Sequence, residues 1–167
     1  MEFRSGDNAV HPTHGVGHIL RREEKQLAGS APQPHYLLAV GTTIIWVPIG
    51  SDGSTTLRAV TTKRELEQYR KLLKSRPSTI EREHKQWRFD TNERLTHGTF
   101  KVLCEVVRDL TSLGWYRTIG EIDSSMLQKV RNNLRREWAA AAGLSLQDAI
   151  QEVDALLIAG RDEFKTA

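Results

Sequence analysis

The sequence predicts an α+β fold, in which a small β-barrel in residues 1–60 is followed by a bundle of about five helices in residues 61–167. Three observations support this prediction. The first region contains short β-prone runs separated by Gly and Pro. After Thr61, apolar residues recur at spacings of three and four, which is typical of amphipathic helices. Capping residues and glycines then divide this second region into segments of helical length.

The first region contains five predicted strands. The two with the best β pattern run from Tyr36 to Val40 and from Thr43 to Val47, and Gly41-Thr42 between them permits a tight hairpin. The three others are Ala9-Val10, Val16 to Leu20 and Thr55 to Val60. Five strands of this size suggest a barrel like that of an SH3 or Tudor domain. Such barrels seldom do chemistry and instead expose a strand edge or a loop face to a partner.

The second region contains five predicted helices, each with a start or stop signal. The first runs from the Thr62/Glu65 capping box to Lys74, and the second from the Ser78/Glu81 capping box to Gly98. The third runs from Phe100 to Leu110. The fourth is capped by Asp123 and ends at Gly143, and the fifth is capped by Ser145 with Asp148 nearby. Trp115 and Tyr116 are expected in a loop between Gly114 and Gly120.

The second of these helices contains the stretch that we expect to be functional, Glu81 to Asp90, in which Trp87 and Phe89 stand among cations. One face of this predicted helix consists of Ile80, His84, Trp87, Thr91 and Leu95. Phe89 lies about 200° round the helix from Trp87, so the two rings cannot face the same core. If the apolar face is buried, Trp87 is a core residue and Phe89 needs another surface. If the helix docks the other way, Trp87 is presented between Lys85 and Arg88.

The charge is distributed unevenly along the chain. Residues 1–60 are balanced, residues 61–101 contain eleven cations against six acids, and residues 102–167 have a balance of −2. The positive charge is therefore local in sequence and includes the Trp87 stretch. A local basic face is what phosphate binding requires, although a solvated helix face of mixed charge is commoner.

Other patterns exclude several classes of protein. No run reaches the roughly 20 apolar residues of a membrane span, and the N-terminus lacks the apolar core of a signal peptide. Cys104 is a single cysteine in an apolar run, which excludes a disulfide framework and a cysteine metal site. Four histidines in the first region have no cysteine or paired carboxylate beside them, so we expect packing roles and no metal: His11, His14, His18 and His35. No catalytic motif is present, and we expect no cofactor and no enzyme.

Three segments together resemble one family. The opening Phe3-Arg4-Ser5-Gly6-Asp7-Asn8-Ala9-Val10-His11-Pro12-Thr13-His14-Gly15-Val16-Gly17 is similar to the start of the CarD/CdnL family of bacterial RNA polymerase-binding regulators. Glu105-Val106-Val107-Arg108-Asp109-Leu110 and Met126-Leu127-Gln128-Lys129-Val130-Arg131 match in the same order. The resemblance covers nearly the whole chain.

The resemblance implies that the two regions have different functions. Residues 1–60 would be a Tudor-like domain that docks on the RNA polymerase β subunit. Residues 61–167 would contact promoter DNA, with little sequence specificity, at the upstream edge of the melted bubble and so stabilise the open complex. In the family a Trp is wedged into the minor groove. Counting back from Gly98 without a gap places His84 at that position, whereas Trp87 matches if the helix is three residues shorter.

The residues expected at these surfaces follow from the same comparison. The DNA contacts would be Trp87 or His84 as the wedge, with Lys85 and Arg88 holding phosphates on either side. The polymerase contact would use the strand Ile44-Ile45-Trp46-Val47-Pro48 by β-augmentation, with Lys25 as a secondary candidate. By its place in the sequence, Trp46 could be an interface anchor or a core residue. A cytoplasmic, nucleoid-associated monomer is expected.

Two alternatives stay open. The chain could be a polymerase-docking adaptor whose helical domain binds another protein, as the negative balance of residues 102–167 suggests. It could also be a sequence-specific repressor, but no helix-turn-helix pair with a polar recognition helix is recognisable.

Overall fold

The computed structural model describes residues 2–81 and 84–164. It confirms the α+β fold, with an antiparallel sheet preceding five helices. Contacts between Cα atoms divide the chain into two compact units, Met1–Val60 and Thr61–Ala167. Each unit has its own hydrophobic core. Among the described helices, none combines the length and the apolar character that a membrane span requires.

The first unit is a curled sheet of four antiparallel strands in the order β1-β2-β3-β4. Their bounds are β1 Asn8–His11, β2 Gly15–Lys25, β3 Gln33–Val40 and β4 Thr43–Pro48. The predicted hairpin is confirmed, because Val40 pairs with Thr43 across Gly41-Thr42. Gly41 has a φ of 59°, which a side chain would disfavour at this turn.

The prediction of a fifth strand from Thr55 to Val60 is wrong. Only Arg58 pairs there, through two backbone hydrogen bonds of 2.8 and 3.1 Å with Val10. The neighbouring Leu57 is 6% exposed and belongs to the core of the unit. The segment therefore contributes the Leu57 side chain to the core but adds no full strand to the sheet. The sheet of four strands is a half-barrel.

The second unit contains five helices, as the sequence predicts. Their bounds are α1 Leu66–Lys74, α2 Lys85–His97, α3 Phe100–Tyr116, α4 Glu121–Ala142 and α5 Leu146–Phe164. The capping box before α1 is made, because the Thr62 N–H donates to Glu65 at 2.8 Å and the Glu65 N–H donates to the Thr62 hydroxyl at 3.2 Å. Gly98 and Gly143 end α2 and α4 in the left-handed conformation, with φ of 64° and 69°.

Three predicted helix limits are wrong for local reasons. Helix α2 begins at Lys85 and not after Ser78, whose N–H donates to the Asp109 carboxylate at 2.9 Å. Helix α3 continues through Gly114 to Tyr116, so Trp115 and Tyr116 are helical. Helix α4 begins at Glu121, two residues before the expected cap Asp123. Arg82 and Glu83, which belong to the basic stretch, lie outside the described residues.

The core of the helical unit surrounds Trp138, which is fully buried. The ring of Phe100 lies 6.1 Å from the Trp138 ring, and the Arg70 guanidinium lies 5.7 Å from it on the ring face. Helix α5 approaches the end of α1 at Gly160, where an added Cβ would lie 2.9 Å from the Lys74 carbonyl oxygen. The two backbones can therefore meet only because residue 160 has no side chain.

Candidate functional site

Helix α2 lies at the edge of the helical core. Thr91 is its only described residue that is fully buried. Trp87 and Leu95 are partly buried and pack against the core cluster of the unit. Phe89 is 61% exposed, and Lys85 is also exposed. Of the two orientations left open by the sequence, the structure has the one in which the apolar face is turned inward and Phe89 is turned outward.

Asp123 of α4 holds the first turn of α2. Its carboxylate accepts a hydrogen bond from Arg88 Nε at 3.0 Å and lies 2.5 Å from His84 Nε2. The Asp123 side chain is only 3% exposed, whereas that of Arg88 is 28% exposed. We call these three residues, His84, Arg88 and Asp123, the Asp123 clamp.

The protonation of the clamp follows from its contacts. Burial by itself would raise the pKa of Asp123, but the hydrogen bonds and charges of Arg88 and His84 outweigh burial and leave that pKa below its ordinary value. The hydrogen bond to Asp123 also raises the pKa of Arg88. The clamp is therefore an ionised contact, and it binds two of the four residues expected to face DNA.

His84 is engaged on every side of its ring. Its Nδ1 lies 2.8 Å from the Glu81 carbonyl oxygen, and its ring edge meets Trp87 with 5.8 Å between centroids. Its side chain is only 10% exposed. His84 and Trp87, the two expected wedge residues, thus contact each other, and both are largely withdrawn from solvent.

The positive charge of residues 61–101 is not concentrated on α2. Arg70 pairs with Glu67 and Glu152, Arg88 pairs with Asp123, and Arg94 pairs with Glu105. Within the described chain, the cations of this segment that form no ion pair are mostly on α1 or beside it: Lys63, Arg64, Lys71, Lys74 and Arg76. Lys85 is the corresponding cation at the start of α2. Three arginines of this segment are thus paired with acids, whereas Lys85 is exposed beside Trp87, and a positive field around Trp87 stays a prediction.

The strand expected to meet polymerase, β4, lies at one edge of the sheet and pairs with β3 alone among the named strands. Its side chains alternate between the two faces. Ile44 is 54% and Trp46 is 36% exposed, whereas Val47 is buried and Ile45 packs against the core. Trp46 is therefore a surface residue of the strand, while Val47 and Ile45 support it from inside.

Lys25 and Trp46 are brought together on the outer face of the sheet. Lys25 Nζ lies 4.7 Å from the centroid of the Trp46 ring, a cation–π contact between β2 and β4. His35 of β3 meets the same ring edge-on at 6.0 Å. No spacing along the chain predicts this cluster, because its members come from three strands.

The backbone of β4 is also available at this edge. Val40 and Thr43 close a two-residue hairpin, and such a closing pair exchanges both of its hydrogen bonds. Because hydrogen-bonded and free pairs alternate, the N–H and C=O groups of Ile44 and Trp46 are directed away from β3. The same two residues thus expose both their side chains and their backbone polar groups.

The side chains that commonly hold metal ions are distributed over residues 2–81 and 84–164. Histidine, cysteine and carboxylate side chains form no group of three that could hold a metal ion there. A shallow cavity of about 230 Å³ lies beside the Asp123 clamp at the start of α4, lined also by Arg117 and Ile119. The geometry is that of binding surfaces, with exposed side chains on a helix and on a strand edge.

Comparison with known proteins bears on the family of the chain. The family model for the C-terminal domain of CarD matches residues 68–154, just over half of the chain. A Bacillus subtilis (strain 168) protein with the name "Putative transcription factor YdeB" is 24% identical over 144 residues, which cover 86% of this chain and 94% of that protein. The chain belongs to the CarD family. The family and the relative both indicate a transcription regulator and not an enzyme.

Proposed function

We propose that this transcription regulator docks on the RNA polymerase β subunit through the edge of β4 and stabilises the promoter open complex through α2. Met1–Val60 is the docking unit and Thr61–Ala167 the DNA-contacting unit in this proposal. In this proposal the protein acts as a monomer. It lies at the nucleoid, in the cytoplasm, because its proposed partners are there. Its selectivity would come from the polymerase and from the melted DNA, with little reading of base sequence.

The observation on which the docking proposal rests is the free edge of β4. An added strand from a partner would find the unpaired backbone groups of Ile44 and Trp46 together with their exposed side chains. Trp is enriched among the residues that dominate binding energy at interfaces. Lys25, in contact with the Trp46 ring, would extend this surface toward an acidic or carbonyl-rich segment.

The DNA proposal rests on α2, where the expected contacts His84, Lys85, Trp87 and Arg88 all lie at the N-terminal end. Lys85 is exposed and could hold a phosphate, and Arg88 could do so with the part of its guanidinium that Asp123 leaves exposed. An aromatic ring that stacks on a base contributes about 1 to 3 kcal/mol. A factor that binds the open complex more tightly than the closed complex shifts the equilibrium toward opening.

A promoter-opening assay with purified polymerase tests the function as a whole. We expect the full chain to raise the fraction of open complexes, and no effect at any promoter would refute the proposal. In a binding assay with polymerase, Trp46→Ala and Ile44→Lys should both weaken docking. Leu27→Ala is the matched control, because Leu27 is 56% exposed in the same unit but lies outside β4.

The salt dependence of DNA binding tests α2 separately. Lys85→Ala should lower the affinity for all duplexes and reduce the slope of log affinity against log salt by about one unit. Lys71→Ala on α1 is the matched control, since Lys71 is also exposed but lies on another helix. If the two variants behave alike, the phosphate contact is not specific to α2.

The adaptor alternative has one structural observation in its favour. Several large apolar side chains of the helical unit are exposed away from α2, among them Ile122 at 62% and Ile158 at 44%. Such side chains are ordinary when scattered but can belong to a protein interface. Absence of DNA binding at low salt, with polymerase docking intact, would favour the adaptor.

A further inference from the structure

We propose that Phe89 is the ring that α2 presents to an unpaired base at the edge of the melted bubble, while Lys85 holds the adjacent phosphate. This inference rests on the proposed function and replaces Trp87 and His84 as the stacking residue. The two expected wedge residues would then support α2 from inside and not enter the DNA.

The exposure of the rings favours Phe89. Stacking on a base requires a free ring face, and Phe89 is 61% exposed on the solvent side of α2. Trp87 is packed against the core cluster and against the ring of His84. To stack on DNA, Trp87 would have to leave contacts that stabilise the unit, whereas Phe89 can stack without any rearrangement.

The charge beside Phe89 fits a nucleic acid. Lys85 lies four residues earlier, so it is only about 40° away round the helix and about 6 Å along its axis. Lys85 is exposed and has no ion pair in the part of the chain that the structure describes. A ring and a free cation one helical turn apart match the alternation of base and phosphate in a single strand.

The start of α2 adds a second favourable feature. Its first turn contains no acidic residue, and the side chain of its N-cap residue, His84, makes no capping hydrogen bond. The positive end of the helix dipole therefore has no anionic partner within its own first turn. The acidic residues of the exposed face come later, where Asp90 accepts from Gln86 at 2.8 Å and Glu93 lies one turn beyond Phe89. Along the exposed face of α2 itself, the cation Lys85 thus precedes the acidic residues, and the proposed phosphate contact lies at the Lys85 end.

The Asp123 clamp explains why the outward side of α2 is fixed. His84 and Arg88 bind a buried carboxylate of α4, which prevents α2 from rotating about its axis. Phe89 is thereby held toward solvent and Trp87 toward the core. His84 and Arg88 act as positioning residues in this arrangement.

Tyr116 provides a matched control within the same unit. It is 69% exposed, so its ring is at least as accessible as that of Phe89. It is the last residue of α3, however, where the carbonyl end of the helix disfavours a phosphate. If any exposed ring sufficed, Tyr116 and Phe89 would contribute alike.

The test compares full-length variants on two labelled DNA probes of the same sequence, one fully paired and one with an unpaired bubble, and in promoter opening with purified polymerase. Phe89→Ala should reduce the preference for the bubble, and the open fraction, by about five- to 150-fold, and leave the melting temperature unchanged. Phe89→Trp should retain the preference. Phe89→Leu should lose it, because Leu keeps apolar bulk but has no ring face. Tyr116→Ala should behave like the wild type.

Two results would overturn the role of Phe89. The first leaves the proposed function intact, and the second refutes it as well. If Phe89→Ala binds and opens like the wild type while Trp87→Ala loses the bubble preference, the ring is Trp87 and the proposed function survives. If the wild-type protein binds neither probe at low salt and does not promote opening, both the stacking role and the proposed function are wrong.

Discussion

Helices α2 and α3 are neighbours in sequence and in space, yet they are held in place by different means. Helix α3 buries nine residues and is capped by the Thr99 hydroxyl, which accepts from the Val102 N–H at 3.4 Å. Helix α2 buries Thr91 alone, has no side-chain cap, and is fastened by the Asp123 clamp. Helix α2 also packs Trp87 and Leu95 partly against the core and pairs Arg94 with Glu105 near its end, but more of its surface is exposed than that of α3. This is what a binding element requires, whereas α3 is occupied by the core.

The largest difference between the two helices should appear on truncating core side chains. Leu110 of α3 is fully buried, so Leu110→Ala should lower the free energy of unfolding by about 3 to 5 kcal/mol. Trp87 of α2 is only partly buried, and Trp87→Ala should have a smaller effect of about 1 to 2 kcal/mol. Urea denaturation of the two variants gives both values. Equal losses would mean that α2 is as much a part of the core as α3.

The clamp should dominate the stability of α2. Asp123→Ala removes the acceptor of a buried ionic contact, and we expect a loss of roughly 3 kcal/mol, at the low end for such contacts because Arg88 reaches water. Hydrogen exchange should show the loss at α2 and the start of α4 before the interior of α3. Asp154→Ala is the control, since Asp154 also pairs with an arginine, Arg135, but is 46% exposed and should contribute little. An Asp123→Ala variant as stable as this control would contradict the role of the clamp.

Acid should weaken the two helices unequally. The pKa of Asp123 in the folded protein lies below its ordinary value of 3.8, so the unfolded chain binds the proton more readily. The stabilisation by the clamp is therefore complete at a pH above 3.8, the ordinary pKa. It is lost as the pH falls below that value and through the lower pKa of Asp123 in the folded protein.

The measurement is the free energy of unfolding between about pH 5 and pH 2 for the wild type and Asp123→Asn. The variant should lose less stability than the wild type over this range, because it has no proton to take up at residue 123. Parallel curves would show that other carboxylates cause the acid sensitivity.

The smallest expected effect concerns the helix starts. Thr99→Ala should destabilise the unit by about 1 kcal/mol, because it leaves an N–H group of α3 without its acceptor. Thr99→Ser keeps the hydroxyl and should be close to the wild type. Thermal melting of the three proteins resolves the difference. A loss in Thr99→Ser equal to that in Thr99→Ala would indicate that the methyl group matters and the cap does not.

The sequence predicted most of the fold because local signals agree with the packing. The Thr62/Glu65 capping box, the Gly98 and Gly143 stops and the β3–β4 hairpin depend on residues a few positions apart, and all are confirmed. The Ser78/Glu81 signal is of the same kind but is wrong, since α2 begins at Lys85 and the Ser78 N–H is bound by Asp109 of α3. A contact between residues so distant in sequence leaves no trace in a local pattern.

The candidate site shows the same limit more clearly. Periodicity established that Trp87 and Phe89 face different ways, but it could not say which faces the core. Asp123, which holds the start of α2 in this orientation, is 39 residues from His84 along the chain. In the sequence it is indistinguishable from an ordinary helix cap. Similarly, Lys25 and Trp46 meet only because β2 and β4 both flank β3.

The close approach at Gly160 reverses a familiar rule of protein engineering. Replacing a helical glycine with alanine usually stabilises a protein, by up to about 1 kcal/mol, because alanine is the better helix former. Here the new methyl group would meet the backbone of Lys74 at 2.9 Å, and a backbone cannot move aside as a flexible side chain can. In a saturation-mutagenesis library scored for folding, position 160 should therefore tolerate no other amino acid well. A consensus design that rewarded helix propensity at this residue would separate α5 from α1.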